Sequence, residues 1–366
     1  MEKNIEKLVK EGIKKISPYV PGKPIEELQR EYGLERVIKL ASNENPFGPS
    51  PKAKEMIMKS AENINRYPDG SAYYLKNKLS EYLNLPVENI ILGSGSSEII
   101  SLTLETFVNP GEEIIYPWPS FVMYRILTLK NNAVGIEIPL EENFSYDLKK
   151  FLEKITPRTK VIFLCNPNNP TGTIIHRKQL EDFLKKLPEE IIIISDEAYF
   201  EYVEDENYGS AFPFFQEKNI VICRTFAKIY GLAGLRIGYG IARKEITEYI
   251  ERIRPPFNIT TPAQMAAIAA LQDQKHIEYV REKTIEGKKY LYNEFEKLGI
   301  EYIPSETNFI LCKFKVDAGK IVKELEKRGI IVRSMKSFGL TEYIRITVGT
   351  EEENRILIDS LREILK

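Results

Sequence analysis

Histidine and cysteine are scarce in this 366-residue chain, with two of the first and three of the second. His176 (in HRKQ) and His276 (in DQKHIE) stand among charged and polar neighbours, outside every motif described below. That argues against a Ser-His-Asp triad or a histidine-built metal centre. Cys165, Cys223 and Cys312 are far apart and fall in or at the ends of apolar runs. They read as buried thiols of a reducing compartment, not as a disulfide framework or a zinc site. An excess of one charge is lacking too: 52 Lys and Arg against 53 Asp and Glu give a net charge of −1. No basic footprint for nucleic acid or an anionic membrane results. No apolar run approaches the roughly 18 residues of a membrane span. The N-terminal MEKNIEKLVKEGIKK has no signal-peptide core, so a cytoplasmic protein is expected. With so little histidine, any proton transfer falls to Lys, Tyr, Asp or Glu.

What is present is a regular alternation. From about residue 70 to 245 short apolar runs alternate with amphipathic stretches. Strands are expected over 89–92, 113–116, 134–138, 160–164, 191–195, 220–223 and 236–241. VIFLC and IIII are apolar throughout, as in strands covered on both faces. SEIISLTLETF and HRKQLEDFLKKL have helical periodicity. The pattern predicts an α/β fold with a large doubly wound, mainly parallel sheet, whose ligands bind beyond the carboxyl ends of the strands. After residue 245 helices fit over 262–297, 317–328 and 351–365, and strands over 308–314, 330–333 and 343–348. That is a smaller α+β unit. The expected division is an arm over 1–45 that packs on the small domain or a partner subunit, a large domain over 46–260, and a small domain over 261–366.

Four constellations sit at the expected strand ends. GSGSSE, from Gly93 to Glu98, opens a helix. It is either a phosphate cradle, with Ser96 and Ser97 offering N–H groups, or a plain N-cap. It matches neither the Walker A nor the dinucleotide fingerprint. CNPNNPTG, from Cys165 to Gly172, is a constrained turn in which Asn169 can also present an amide donor. In SDEAYFEY, Asp196 falls at a buried strand end and needs a cationic partner, either a structural Arg or a ring nitrogen bearing a proton. Tyr199 follows as a donor for a phenolate-type oxygen. In RTFAKIYGLAGLRIGYG, Thr225 and Arg236 can both reach a phosphate. Lys228 there is either a solvated surface lysine or an amine poised for a Schiff base. Together these parts fit pyridoxal phosphate, which needs a lysine and an acid for its ring nitrogen.

In order and spacing, SPYVPGKP, KLASNENPFGPSP, RYPDG, NPNNPTG, DEAY, the lysine loop and YIRITVGT resemble the fold-type-I pyridoxal-phosphate aminotransferases over nearly the whole chain. PYVPGK and NENPFGPSP narrow the likeness to the histidinol-phosphate branch. The resemblance implies that Lys228 holds the cofactor as a Schiff base, that Asp196 pairs with the pyridinium, and that Asn169 and Tyr199 bond the ring oxygen. It implies that Ser96, Ser97, Thr225 and Arg236 hold the phosphate and that Phe121 stacks on the ring. Tyr67 would reach the phosphate in a neighbouring subunit, which implies a homodimer with shared sites. Tyr19, Asn45, Arg333 and Arg345 would line the substrate site, with Arg345 taking the α-carboxylate of glutamate or the substrate phosphate. The implied reaction exchanges an amino group between L-histidinol phosphate and 2-oxoglutarate, giving imidazole acetol phosphate and glutamate, in histidine biosynthesis.

Aromatic or broad-specificity aminotransferases share the cofactor residues and stay open as alternatives, as do threonine-phosphate decarboxylases. A non-enzymatic ligand sensor would have no need of Lys228, Asp196, Tyr199 and Arg345 together. Three positions depart from the family pattern: Ala227 where Ser is frequent, and Phe121 and Phe257 where Tyr is frequent. Phe257 is expected in the substrate pocket, where it would weaken phosphate recognition.

Overall fold

The computed structural model describes residues 5–18 and 22–366. A two-residue strand, β1 (Ile38–Lys39), lies in the N-terminal segment. Seven strands then build the main sheet: β2 (Ile90–Gly93), β3 (Glu113–Trp118), β4 (Val134–Pro139), β5 (Thr159–Cys165), β6 (Ile192–Asp196), β7 (Ile220–Thr225) and β8 (Gly238–Ile241). Their spatial order is β2-β8-β7-β6-β5-β3-β4. Every pairing is parallel except the two that β8 makes. Because β8 runs against the rest, its first residues lie at the edge where the other strands end. Arg236 is thereby carried to the same rim as Cys165, Asp196 and Thr225.

Side chains alternate across the sheet, and both faces are covered. Ile162, Leu164, Ile193 and Ile222 enter one core, while Val161, Phe163, Ile194 and Val221 enter the other. That explains the unbroken apolar runs of β5 and β6. Two expected boundaries shift for local reasons. Arg236 has φ 53°, in the left-handed region, so β8 begins at Gly238 and not at residue 236. The stretch 330–333 divides: β11 (Ile330–Ile331) pairs in parallel with β1, whereas β12 (Arg333–Ser334) joins another sheet.

That other sheet is antiparallel, with the order β12-β13-β10-β9, where β9 is Glu301–Ile303, β10 is Phe309–Lys313 and β13 is Tyr343–Thr347. The helices Gln274–Lys297, Ala318–Lys327 and Glu351–Ile364 flank it around a core that includes Phe295, Ile310, Leu325, Ile344 and Leu357. A reciprocal Thr350–Glu353 capping box starts the last helix. The N-terminal segment touches both regions. Gly12 N–H donates to Asn132 Oδ1 (2.8 Å) beside the main sheet, and Leu28 and Ala41 pack with Ile331 of the smaller one. Helices at Pro51–Ser60, Tyr73–Leu83 and Lys244–Glu251 and the strand β9 were not among the expected elements. The three cysteines are buried and free. Among the described residues no helix is long and apolar enough to cross a membrane, and no group of three or more metal-ligating side chains occurs.

Candidate active site

One cleft, of about 230 Å³, lies at the carboxyl rim of the main sheet, toward the small one. Ser96, Ser97, Phe121, Asn169, Asp196, Tyr199, Thr225, Lys228, Arg236, Arg333 and Arg345 all line it. These come from seven stretches of the chain, and the order of the two sheets brings them together. Register aligns Cys165 with Asp196, Asp196 with Cys223, and Thr225 with Gly238, which in turn pairs with Gly93.

The anion-binding corner depends on two glycines. Gly95 has φ +84°, and a Cβ there would come within 2.7 Å of an Arg236 guanidinium nitrogen. A Cβ on Gly238 would meet Ser96 N at 2.6 Å. Only hydrogen at both places lets β8 and Arg236 close on the start of the helix Ser96–Phe107. No side chain caps that start, so the N–H groups and the helix dipole remain for an anion. Glu98 turns away from the corner, accepting from Ser94 N–H and from Asn258 Nδ2, each at 2.6 Å. The cradle geometry and the N-cap position therefore coincide in GSGSSE. Thr225 Oγ1 accepts from Ala227 N–H at 3.1 Å, which ties down the loop before Lys228.

Asp196 is 4% exposed and supplies the cleft's acid. Its Oδ2 accepts from the Tyr124 hydroxyl at 2.8 Å, while its Oδ1 is buried without a partner. Burial pushes the carboxyl up to about 6, against the opposing pull of the Tyr124 hydroxyl, the Ala198 N–H and the Lys228 charge. The structural arginine foreseen as one possible partner exists, but it belongs to the next residue. Arg224 makes a buried ion pair with Glu197 at 2.8 Å, and Ser210 and Ala211 complete that carboxylate's contacts. Asp196 is left facing the cleft with one open lone-pair site.

Around Lys228 the groups are already oriented. Its Nζ lies 5.2 Å from the centre of the Tyr199 ring. The Tyr199 oxygen accepts from Asn43 Nδ2 at 2.9 Å, so its own proton is free to be donated. Asn43 sits at φ 56° and is fixed to the small sheet by Thr347 Oγ1, which accepts from its N–H (3.0 Å), and by Asn308 Nδ2, which donates to its carbonyl (3.0 Å). Arg345, on β13, donates to Asn169 Oδ1 and to the Ala41 carbonyl, both at 2.6 Å. In CNPNNPTG, Asn166 and Asn168 bind backbone and neighbouring hydroxyls to hold the turn, and Asn169 is the one that reaches into the cleft.

Three residues from the sequence reading lie elsewhere. Asn45 is not part of the cleft lining: its amide donates to the Ile229 and Gly48 carbonyls (2.8 and 3.2 Å) and braces the turn behind the lysine loop. Tyr67 is 83% exposed and stacks on Phe257 at 4.8 Å in a neighbouring groove that shares Arg236 with the cleft. Phe257 thus stands in that groove and not in the cleft, at φ 59°. Tyr19 lies outside the described residues. Tyr124 and Asn43 were missed. A buried acid's need for a donor was the only signal for the first, and the choice between neighbouring asparagines in SNEN had none.

The unpartnered buried oxygen of Asp196, the uncapped helix start closed over by two glycines, and an amine lining the same cleft match a phosphorylated pyridine aldehyde. The model for "Aminotransferase class I and II" matches residues 35–361. A histidinol-phosphate aminotransferase of Moorella thermoacetica is 46% identical over 97% of this chain and 92% of its own length. One of Caldicellulosiruptor saccharolyticus is 47% identical over 98% and 100%. Among solved structures, histidinol-phosphate aminotransferase from Sinorhizobium meliloti in complex with pyridoxal-5'-phosphate superimposes with a TM-score of 0.90 at 26% identity, covering 98% of this chain and 97% of that one. The chain belongs to the class I and II aminotransferases and, within them, to the histidinol-phosphate aminotransferase family.

Proposed function

We propose that this chain is a pyridoxal-phosphate-dependent aminotransferase that moves an amino group between L-histidinol phosphate and 2-oxoglutarate, as a step of histidine biosynthesis in the cytoplasm. The observation that carries the reading is the buried Asp196 Oδ1, without a partner in the cleft that Lys228 and Arg345 also line. When bound, the cofactor supplies an electron sink that makes the α-proton of an amine acidic.

The chain supplies placement and proton transfer. Ser96, Ser97, Thr225 and Arg236 hold the phosphate, and Phe121 offers a ring face. Asp196 Oδ1 accepts the ring N–H and keeps that nitrogen protonated. Tyr199, already receiving a hydrogen bond from Asn43, donates to the ring oxygen beside Asn169. Lys228 Nζ, as a free amine, takes the proton from the substrate's α-carbon in one half-reaction and returns one there in the other. Arg345 offers a planar fork that matches a carboxylate or a phosphate, so the two substrates can share it in turn. Two of its acceptors, Asn169 Oδ1 and the Ala41 carbonyl, are neutral, and an incoming oxyanion competes with them.

A homodimer belongs to the same reading. Ile64, Tyr67, Tyr73 and Tyr74 are exposed apolar side chains from neighbouring stretches, which suits contact with a second copy. Tyr67 would then reach across to the partner's phosphate. The test is glutamate formation from L-histidinol phosphate and 2-oxoglutarate by the purified, cofactor-loaded chain. Turnover at least tenfold better than with aromatic amino acids is expected. A preference for an aromatic amino acid, or decarboxylation of threonine phosphate, would overturn the substrate assignment. No turnover with any amine would overturn the enzyme assignment.

A further inference from the structure

We propose that Tyr124 is a positioning residue: its hydroxyl occupies Asp196 Oδ2 so that Oδ1 alone is presented to the cofactor's ring nitrogen. This rests on the reading that pyridoxal phosphate binds in the cleft. Tyr124 is fully buried in the helix Met123–Lys130 and does not line the cleft. Its ring stacks on Phe163 of β5 at 4.2 Å with 16° between planes, and its edge meets Phe121 at 5.7 Å. The phenol is thus locked by packing before it makes its 2.8 Å bond to the carboxylate. A carboxylate with both oxygens free would rotate, and its second oxygen would be a further buried orphan. With Oδ2 held, the carboxylate plane is set by the protein and not by the ligand. The other ionisable neighbours do not do this. Cys165 and Cys223 are buried thiols whose proton affinity burial raises, and Lys228 lies on the cleft side.

The same contact makes Tyr124 matter for only one part of the cofactor. A donor that orients the acceptor of a ring N–H affects binding of a ring that has that N–H. It leaves the binding of a carbon isostere unchanged. The test is equilibrium binding to the cofactor-free chain, comparing wild type with Tyr124→Phe. The ligands are pyridoxal phosphate and its 1-deaza analogue, in which carbon replaces the ring nitrogen. Tyr124→Phe removes one oxygen and keeps the stack on Phe163. Losing a hydrogen bond to a charged group predicts roughly 10- to 100-fold weaker binding of pyridoxal phosphate. The affinity for the deaza analogue is expected to stay within about threefold of wild type. Tyr124→His, which keeps a donor, is expected to retain more affinity for pyridoxal phosphate than Tyr124→Phe. Equal weakening for both ligands would reduce Tyr124 to a packing residue and overturn the proposal, as would no weakening for either. A wild-type chain that binds no pyridoxal phosphate at all would instead overturn the parent reading, and this one with it.

Discussion

Two acids stand side by side at the end of β6, and the backbone turns them to opposite sides of the sheet. Glu197 faces away from the cleft and is fully satisfied, with the Arg224 guanidinium at 2.8 Å, the Ser210 hydroxyl and the Ala211 N–H. The Arg224 plane also lies 3.6 Å from the Phe200 ring centre, so the pair is sealed. Asp196 faces the cleft, has one bond from Tyr124, and keeps a buried oxygen with nothing to accept from. The same charge at the same depth therefore plays two roles. On the closed side the protein completes the acid's partners, which holds the 200–212 segment to β7. On the open side one acceptor oxygen has no protein donor, and that side is where a ligand's proton belongs. An incomplete buried group costs stability, and its persistence at the rim is a sign of binding.

Substitutions can break this contrast. The largest effect is expected at Lys228, which no other amine in the cleft can replace: Lys228→Ala should bring turnover to background while the protein stays folded, as checked by activity and circular dichroism together. Next comes the pair itself. Asp196→Asn should lower kcat by about 10²–10³-fold, the scale of losing one well-placed electrostatic contact, without loss of melting temperature. Glu197→Gln should do the reverse. It breaks a buried ion pair from one side, which costs roughly 3–5 kcal/mol in unfolding free energy, and it acts on kcat only through folding. If both variants lost activity and stability in equal measure, the two sides would not be distinct.

Titration sharpens the same contrast. The Asp196 carboxyl sits at about 6, above the ordinary carboxylate value, so the folded chain binds its proton more tightly than the unfolded one. In the cofactor-free protein this group's contribution to stability is therefore highest below pH 4 and is lost as pH rises to 6. The loss is on the order of 3 kcal/mol. The difference between wild-type and Asp196→Asn unfolding, measured at pH 4 and pH 7, isolates it. The smallest effect is expected at Arg345. Arg345→Ala should raise KM by about tenfold for both glutamate and histidinol phosphate. A change for one substrate alone would mean separate anchors.

The cofactor half of the cleft was legible because its residues lie within a few positions of apolar strands, and strand ends of a doubly wound sheet must meet at one rim. Lys228, Asn169 and Ser96 were found in that way. The face that each acid takes was not legible. Alternation in SDEAY places Asp196 and Glu197 on opposite sides but does not say which side Arg224 occupies. The substrate half was harder still. Asn43 and Arg345 meet Tyr199 and Asn169 only because the small sheet docks on the large one, with Asn43 hydrogen-bonded to Thr347 and Asn308. No periodicity encodes that docking, and the family resemblance named Asn45 but not Asn43. The start of β8 was misplaced for a different reason: Arg236 adopts a left-handed conformation that its residue type does not favour.

The most direct test of the account is to load the chain with pyridoxal phosphate, reduce it with borohydride, and map the fixed mass by peptide sequencing. The expected result is one stoichiometric label on Lys228. A label spread over surface lysines, or none at all, would contradict a cofactor site at this strand-end cleft.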